Sequence, residues 1–192
     1  MKTIKTNLEN ETIIKNSRFI CYLVKTDSSN INSMLEEIKN IHPKATHYCY
    51  GYIYDDIKKS SDDNEPSGTA GLPILNVLEK EQLNHIIAIV VRYFGGIKLG
   101  AGGLVRAYTK SVTETLKNAE YIELVKGYKI SLRFNYNEEK QVNYILKNSN
   151  ISKKEYRNDI YYECNIEENI LKDLDKYKPL ILEEVFIEKT QQ

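Results

Sequence analysis

The stretch "RYFGGIKLGAGGLVR", Arg92 to Arg106, holds five of the nine glycines in a chain of 192 residues, together with three basic residues and no acid. Glycines let a backbone turn tightly and expose its N–H groups, and the start of a helix adds partial positive charge. Such a combination grips anions, phosphate above all. Two nucleotide-binding motifs are nevertheless excluded. A Walker A loop needs Gly-Lys followed by Ser or Thr, whereas Lys98 is followed by Leu99 and has no glycine directly before it. A dinucleotide fingerprint needs G-x-G-x-x-G, but Gly100-Ala101-Gly102 leads to Val105 where the last glycine should stand. Two readings stay open. One is an anion site built from Gly95, Gly96, Gly100, Gly102 and Gly103 with Arg92, Lys98 and Arg106. The other is a strand-to-helix turn whose glycines satisfy positive φ or close packing.

A second stretch, "SSDDNEPSGTAGLP", is dense in acids and turn formers. Asp62, Asp63 and Glu65 can hold Mg²⁺, pair with the basic loop, or simply form a solvated turn. Ser67 is no nucleophile elbow, because G-x-S-x-G requires glycine where Glu65 stands. His47 and Cys49 point to one face of a strand, yet no second ligand pair completes a zinc site, and core packing is the better reading. Tyr48, Tyr50, Tyr52 and Tyr54 form a row that can stack bases or pack against a helix.

The elements that position these residues follow from periodicity. "TIIKNSRFICYLVKT" reads as a hairpin turning near Asn16-Ser17. Asp27 or Ser28 then caps a helix with an apolar face of Ile31, Leu35, Ile38 and Ile41, stopped by Pro43. "THYCYGYIYD" alternates as a strand, "DIKKSSDDNEPSGTAGLP" reads as a long loop and "ILNVLEKEQL" as a short helix. "HIIAIVVRYF" is a buried central strand. After the glycines, Leu104, Tyr108, Val112 and Leu116 mark one face of a long helix that starts near Gly102 or Gly103. Beyond Glu120 the order becomes strand, helix, strand, strand, helix, strand, which is ferredoxin-like. The predicted class is α+β with two domains, 1–123 and 124–192.

Composition narrows the function further. Twenty-seven basic residues balance twenty-seven acidic ones, so no global field steers the chain to nucleic acid or membrane, and anion binding has to be local. Three cysteines, odd in number and widely spaced, do not form a disulfide framework. The amino-terminal sixteen residues lack the apolar core of a signal peptide, and a reducing cytoplasm is the expected location.

"SDDNEPSGTAGLPIL" and "VVRYFGGIKLGAGGLVRAY" resemble the paired signatures of the YigZ/IMPACT family, in the same order and spacing. The resemblance implies two domains. The first is similar to the second domain of ribosomal protein S5 and to domain IV of elongation factor G, the second to domain V of that factor. It also marks Asp62, Asp63, Glu65, Ser67, Gly68 and Thr69 as the family's acidic-loop motif. Eukaryotic members share only the first type of domain and restrain a starvation-responsive translation kinase by competing for its activator. Two departures stand out: Asn64 replaces a usual Gly, and Ile97 replaces a usual Thr, removing a hydroxyl suited to phosphate. The implied function is a non-catalytic regulator associated with translation, binding RNA, ribosome or a protein partner, without cofactor or catalytic residue. The rivals are an enzyme acting on a phosphorylated small molecule or nucleotide with Mg²⁺, and a pure protein-interaction module like the eukaryotic relatives.

Overall fold

The computed structural model describes residues 1–26 and 30–189. The chain is α+β and falls into two compact units, Met1–Ile122 and Glu123–Gln192.

The first unit runs β1 (Lys2–Ile4), β2 (Leu8–Ile14), β3 (Ser17–Lys25), α1 (Ile31–Ile41), β4 (His47–Tyr54), β5 (Ile57–Ser61), α2 (Gly71–Lys80), β6 (Ile86–Tyr93) and α3 (Ala101–Leu116). Its sheet has the order β2-β3-β6-β4-β5, with every neighbouring pair antiparallel. β6 lies at the centre and is buried from Ile86 through Arg92, because both faces of the sheet are covered. On one face, Phe19, Cys21, Leu23, Cys49, Ile86, Ala88 and Val90 pack against Ile74 and Leu78 of α2 and Leu104, Tyr108 and Val112 of α3. The opposite face joins Ile20, Tyr52, Ile87, Ile89 and Val91 to Ile31 and Ile38 of α1. Tyr48, Tyr50 and Tyr54 pack against this second layer, so the tyrosine row faces a helix.

Several boundaries move for physical reasons. The β2–β3 turn sits at Lys15 and Asn16, both at positive φ (45° and 64°), as a two-residue hairpin requires. "IKKSS" is an edge strand rather than loop, since Ile57–Ser61 pairs with Tyr50–Tyr54 of β4. α2 begins at Gly71, three residues before the expected Ile74. Ile41 is 56 % exposed, and Met34 packs beside Leu35 in its place. The cap expected at Asp27 or Ser28 lies outside the described residues.

The second unit comprises β7 (Tyr121–Phe134), a 3₁₀ turn (Tyr136–Glu138), α4 (Glu139–Ile145), β8 (Asn150–Tyr156), β9 (Ile160–Glu167), a 3₁₀ run (Glu168–Tyr177) and β10 (Leu180–Glu188). The antiparallel order β10-β7-β9-β8 is the ferredoxin-like arrangement. Ile130, Leu132, Phe134, Ile160, Tyr162, Cys164 and Ile166 form a core under Val142, Leu146, Leu174 and Tyr177. The segment expected as a second α-helix winds as 3₁₀. Its apolar anchors Leu171, Leu174 and Tyr177 are three apart, which matches three residues per turn.

Each unit has its own buried core, and independent folding is the expected consequence. Residues 123–192 expressed alone should give the circular dichroism of a folded α+β domain; a random-coil spectrum would contradict this.

Candidate functional site

The acidic loop and the glycine loop sit over the end of β6, and the two do opposite things with their charge. Asp62 follows directly on β5. Its Oδ1 accepts hydrogen bonds from the N–H groups of Ala70 (2.9 Å) and Gly71 (2.8 Å), and its Oδ2 from Gly68 (2.8 Å). One carboxylate thus satisfies the otherwise orphaned donors at the start of α2. Burial pushes the Asp62 pKa up, but the three backbone donors outweigh it and hold the group below its ordinary 3.8. Asp63 Oδ2 accepts from the Tyr48 N–H at 2.7 Å, and its carbonyl lies 2.8 Å from His47 Nδ1. Asp63 and Asn64 both take positive φ (42° and 66°), so the loop reverses through two left-handed residues. Asn tolerates that conformation, so Asn64 is compatible with the turn. Thr69 donates its hydroxyl to the Pro66 carbonyl, and Ser67 is exposed.

Glu65 is buried, 8 % exposed, and its Oε1 accepts from Arg92 Nη1 and from the Tyr108 hydroxyl at 2.8 Å. Arg92 is buried as well, with side chains of the pair only 4 % and 5 % exposed. His47 Nε2 stands 3.8 Å from the same carboxylate oxygen. Cys49 donates to the Asp62 carbonyl at 3.0 Å and lies 3.3 Å from the Tyr108 hydroxyl. Burial pushes the Cys49 thiol up to about 12 and drives the Tyr108 phenol up too, so neither ionises near neutrality. A thiol held in that state is not a nucleophile. The cluster therefore links β4, β6, α3 and the acidic loop through one buried carboxylate.

The glycine loop spends none of its charge this way, apart from Arg92. Gly95 is required by proximity: a Cβ there would collide with the backbone of Asn16 and Ser17. Gly96 (φ 85°) and Gly100 (φ 70°) take left-handed conformations over open space. Gly102 and Gly103 belong to the first turn of α3, which begins at Ala101. No side chain caps that helix and no acid stands in its first turn. Lys98 and Arg106 are exposed, and among the described residues neither has an ion-pair partner. Arg106 folds back along the helix, its Nη1 3.5 Å from where a Cβ on Gly102 would lie. A cation is thereby placed at the positive end of a helix, where the macrodipole disfavours it.

The structure thus separates the eight basic-loop candidates. Lys98, Arg106, Gly96, Gly100 and Gly102 are exposed, whereas Arg92 is buried and paired with Glu65. Asp62, Asp63 and Glu65 are each engaged by protein groups and do not converge; no cluster of three metal-ligating side chains occurs among the described residues. Tyr108 and His47 belong to the site although the sequence placed Tyr108 only on a helix face and read His47 as core packing. Tyr108 had one legible signal: it is the only hydroxyl on an otherwise apolar helical stripe, and a buried tyrosine needs an acceptor.

The Impact N-terminal domain model matches residues 15–116, more than half of the chain and all of this site. The chain belongs to the IMPACT family. It is 49 % identical over 125 residues to the IMPACT family member YvyE of Bacillus subtilis, covering 63 % of this chain and 58 % of that one. An IMPACT family member of Thermus thermophilus is 36 % identical over 135 residues, covering 70 % and 74 %. A crystal structure of a hypothetical protein superposes with a TM-score of 0.72 at 27 % identity, covering 100 % of this chain and 98 % of the other. The chain spans little more than half the length of the Bacillus relative it matches.

Removing one side of the buried pair strands the other charge. Arg92→Met should lower unfolding stability by about 3–5 kcal/mol, and Glu65→Gln should be sub-additive with it in chemical denaturation. Additive losses would show that the pair is not coupled. Asp62 sets an acid limit. Its folded pKa lies below the unfolded one, so its contribution is complete above the ordinary carboxylate value and is lost as pH falls through the lower, folded value. Asp62→Asn should be less stable at pH 7 and show a flatter stability profile below about pH 4 in urea titrations; parallel profiles would contradict the capping role.

Proposed function

We propose that this chain is a non-catalytic regulatory protein associated with translation, which binds RNA or the ribosome through its basic glycine loop. One observation carries the reading. The acids beside the loop are used internally, while Lys98, Arg106 and the uncapped start of α3 leave positive charge unneutralised at the surface. A phosphate placed there would meet backbone N–H groups, a helix terminus and two flexible cations at once. Family membership supports the link with translation, as the eukaryotic relatives act on that process. The location that fits such a partner is the cytoplasm, and no helix among the described residues is long and apolar enough to cross a membrane.

The rival is an enzyme on a phosphorylated small molecule. It needs carboxylates free to hold Mg²⁺, and the bonds made by Asp62, Asp63 and Glu65 argue against it. Binding of a mixed-sequence single-stranded RNA, measured by fluorescence anisotropy across salt concentrations, separates the readings. Lys98→Ala and Arg106→Ala should each weaken binding and reduce the salt slope by about one unit for every phosphate that the variant no longer neutralises, with melting temperature unchanged. Unaltered slopes with lowered melting temperatures would return the loop to a purely structural turn. Millimolar Mg²⁺ should leave the melting temperature of the wild type unmoved; a rise of several degrees would favour the enzyme.

A further inference from the structure

Besides the three-residue β1, the two sheets have four edge strands among the described residues, and an exposed edge invites pairing with another chain unless something discourages it. Three are guarded by their outward residues. β2 exposes Glu9 and Glu11 beside Ile13. β5 exposes Lys58, Lys59 and Ser60 after Ile57. β8 exposes Ser152, Lys153 and Lys154. Lysine on an edge is the usual device against sheet extension.

β10 is different. It pairs with β7 on one side, from Leu180↔Ser131 to Glu188↔Leu124, and has no strand on the other among the described residues. Leu180, Ile181 and Leu182 are 63 %, 46 % and 44 % exposed, three consecutive large apolar residues on an open edge. A bulge between Ile181 and Glu183 leaves Leu182 without a register partner on β7. The residues that follow are acidic: Glu183, whose carboxylate stands 3.8 Å from Lys129, and Glu184, which has no ion-pair partner among the described residues. No basic residue lies within β10.

We propose that β10 is a strand-addition site that takes an extended protein segment alternating apolar and basic residues. The backbone of such a segment would continue the ferredoxin-like sheet, its apolar side chains would cover Leu180 on one face, and its cations would meet Glu184 on the other, since Leu180 shares a register face with Glu183 and Glu184 lies on the opposite one. Charge decides against a second copy of this chain as the occupant. Antiparallel self-pairing over the full nine residues of β10 brings the Glu183–Glu184 segments of the two copies together, and like charges directly opposite are destabilising. The inference concerns a strand remote in sequence from the glycine loop and stands whether or not that loop binds RNA.

The test uses the full chain, isotopically labelled, with two nine-residue acetylated peptides, one alternating Val and Lys, the other Val and Glu. Amide hydrogen exchange and chemical shifts are followed by NMR as each is titrated. The Val-Lys peptide should shift and protect amides within Leu180–Glu188, and the Val-Glu peptide should not. Leu182→Lys, a guarded edge of the kind β5 and β8 carry, should weaken binding on the order of tenfold at an exposed position where the fold is untouched. Glu183→Lys with Glu184→Lys should reverse the preference between the peptides. Absence of protection on β10, equal effects of both peptides, protection at β2, β5 or β8 instead, or β10 protection that rises with protein concentration alone would each overturn the proposal.

Discussion

Arg92 and Glu65 bury a full ion pair at the place where the two loops of the first unit meet. Taking two charges out of water is costly, and the cost is offset only when each is well partnered. Here the Glu65 carboxylate also accepts the Tyr108 hydroxyl and faces His47, while Arg92 lies between the rings of Phe19 and Phe94, 5.4 Å and 5.5 Å from their centroids. Arg92 Nε remains buried without a hydrogen-bond partner, so the arrangement is not fully satisfied. What the pair secures is position. The acidic loop cannot leave the end of β6 without stranding Arg92, and α3 cannot rotate without withdrawing Tyr108.

That constraint explains how a loop rich in glycine holds a defined course. Gly95 is pressed against Asn16 and Ser17, and its N–H donates to the Ser17 hydroxyl at 3.1 Å. Gly100 hands its carbonyl to Leu104 N–H at 2.9 Å and starts α3. Between these fixed points Gly96, Ile97 and Lys98 are exposed, and Leu99 packs back against the core. The two helices differ in how their positive ends are treated. α2 has its positive end answered by Asp62 from within the chain, whereas α3 has a second cation, Arg106, laid beside its own positive end. Internal neutralisation at one helix and surplus charge at its neighbour is the electrostatic asymmetry on which the functional reading rests.

Much of this was legible in the residues. The buried run Ile86–Val91, the α3 stripe and the strand-helix order after Glu120 follow from periodicity that long-range packing did not override. The two loop motifs gave the family before any geometry. The partners within the site were not legible: Arg92 and Lys98 are both basic residues of one glycine-rich motif, and only the structure shows that Arg92 ends a buried strand while Lys98 is exposed in the loop. Likewise Asp62, Asp63 and Glu65 read as one acidic group, yet the two left-handed residues Asp63 and Asn64 send the three carboxylates to three different partners. Edge strand β5 was hidden because "IKKSS" carries no apolar alternation. It is ordered by hydrogen bonds to β4 rather than by burial. The 3₁₀ run before β10 shows the same limit, since an apolar spacing of three is only a small departure from helical spacing.

The central claim is that the chain's own acids are locked away so that the start of α3 is open to an anion. Amide NMR of the wild-type protein, titrated separately with a short polyphosphate and with Mg²⁺, addresses both halves in one measurement. Saturable polyphosphate shifts are expected at Lys98 through Gly103, with Mg²⁺ leaving the amides of Asp62 through Gly71 in place. Mg²⁺-dependent shifts across Asp62–Gly71, with Lys98–Gly103 indifferent to polyphosphate, would contradict it.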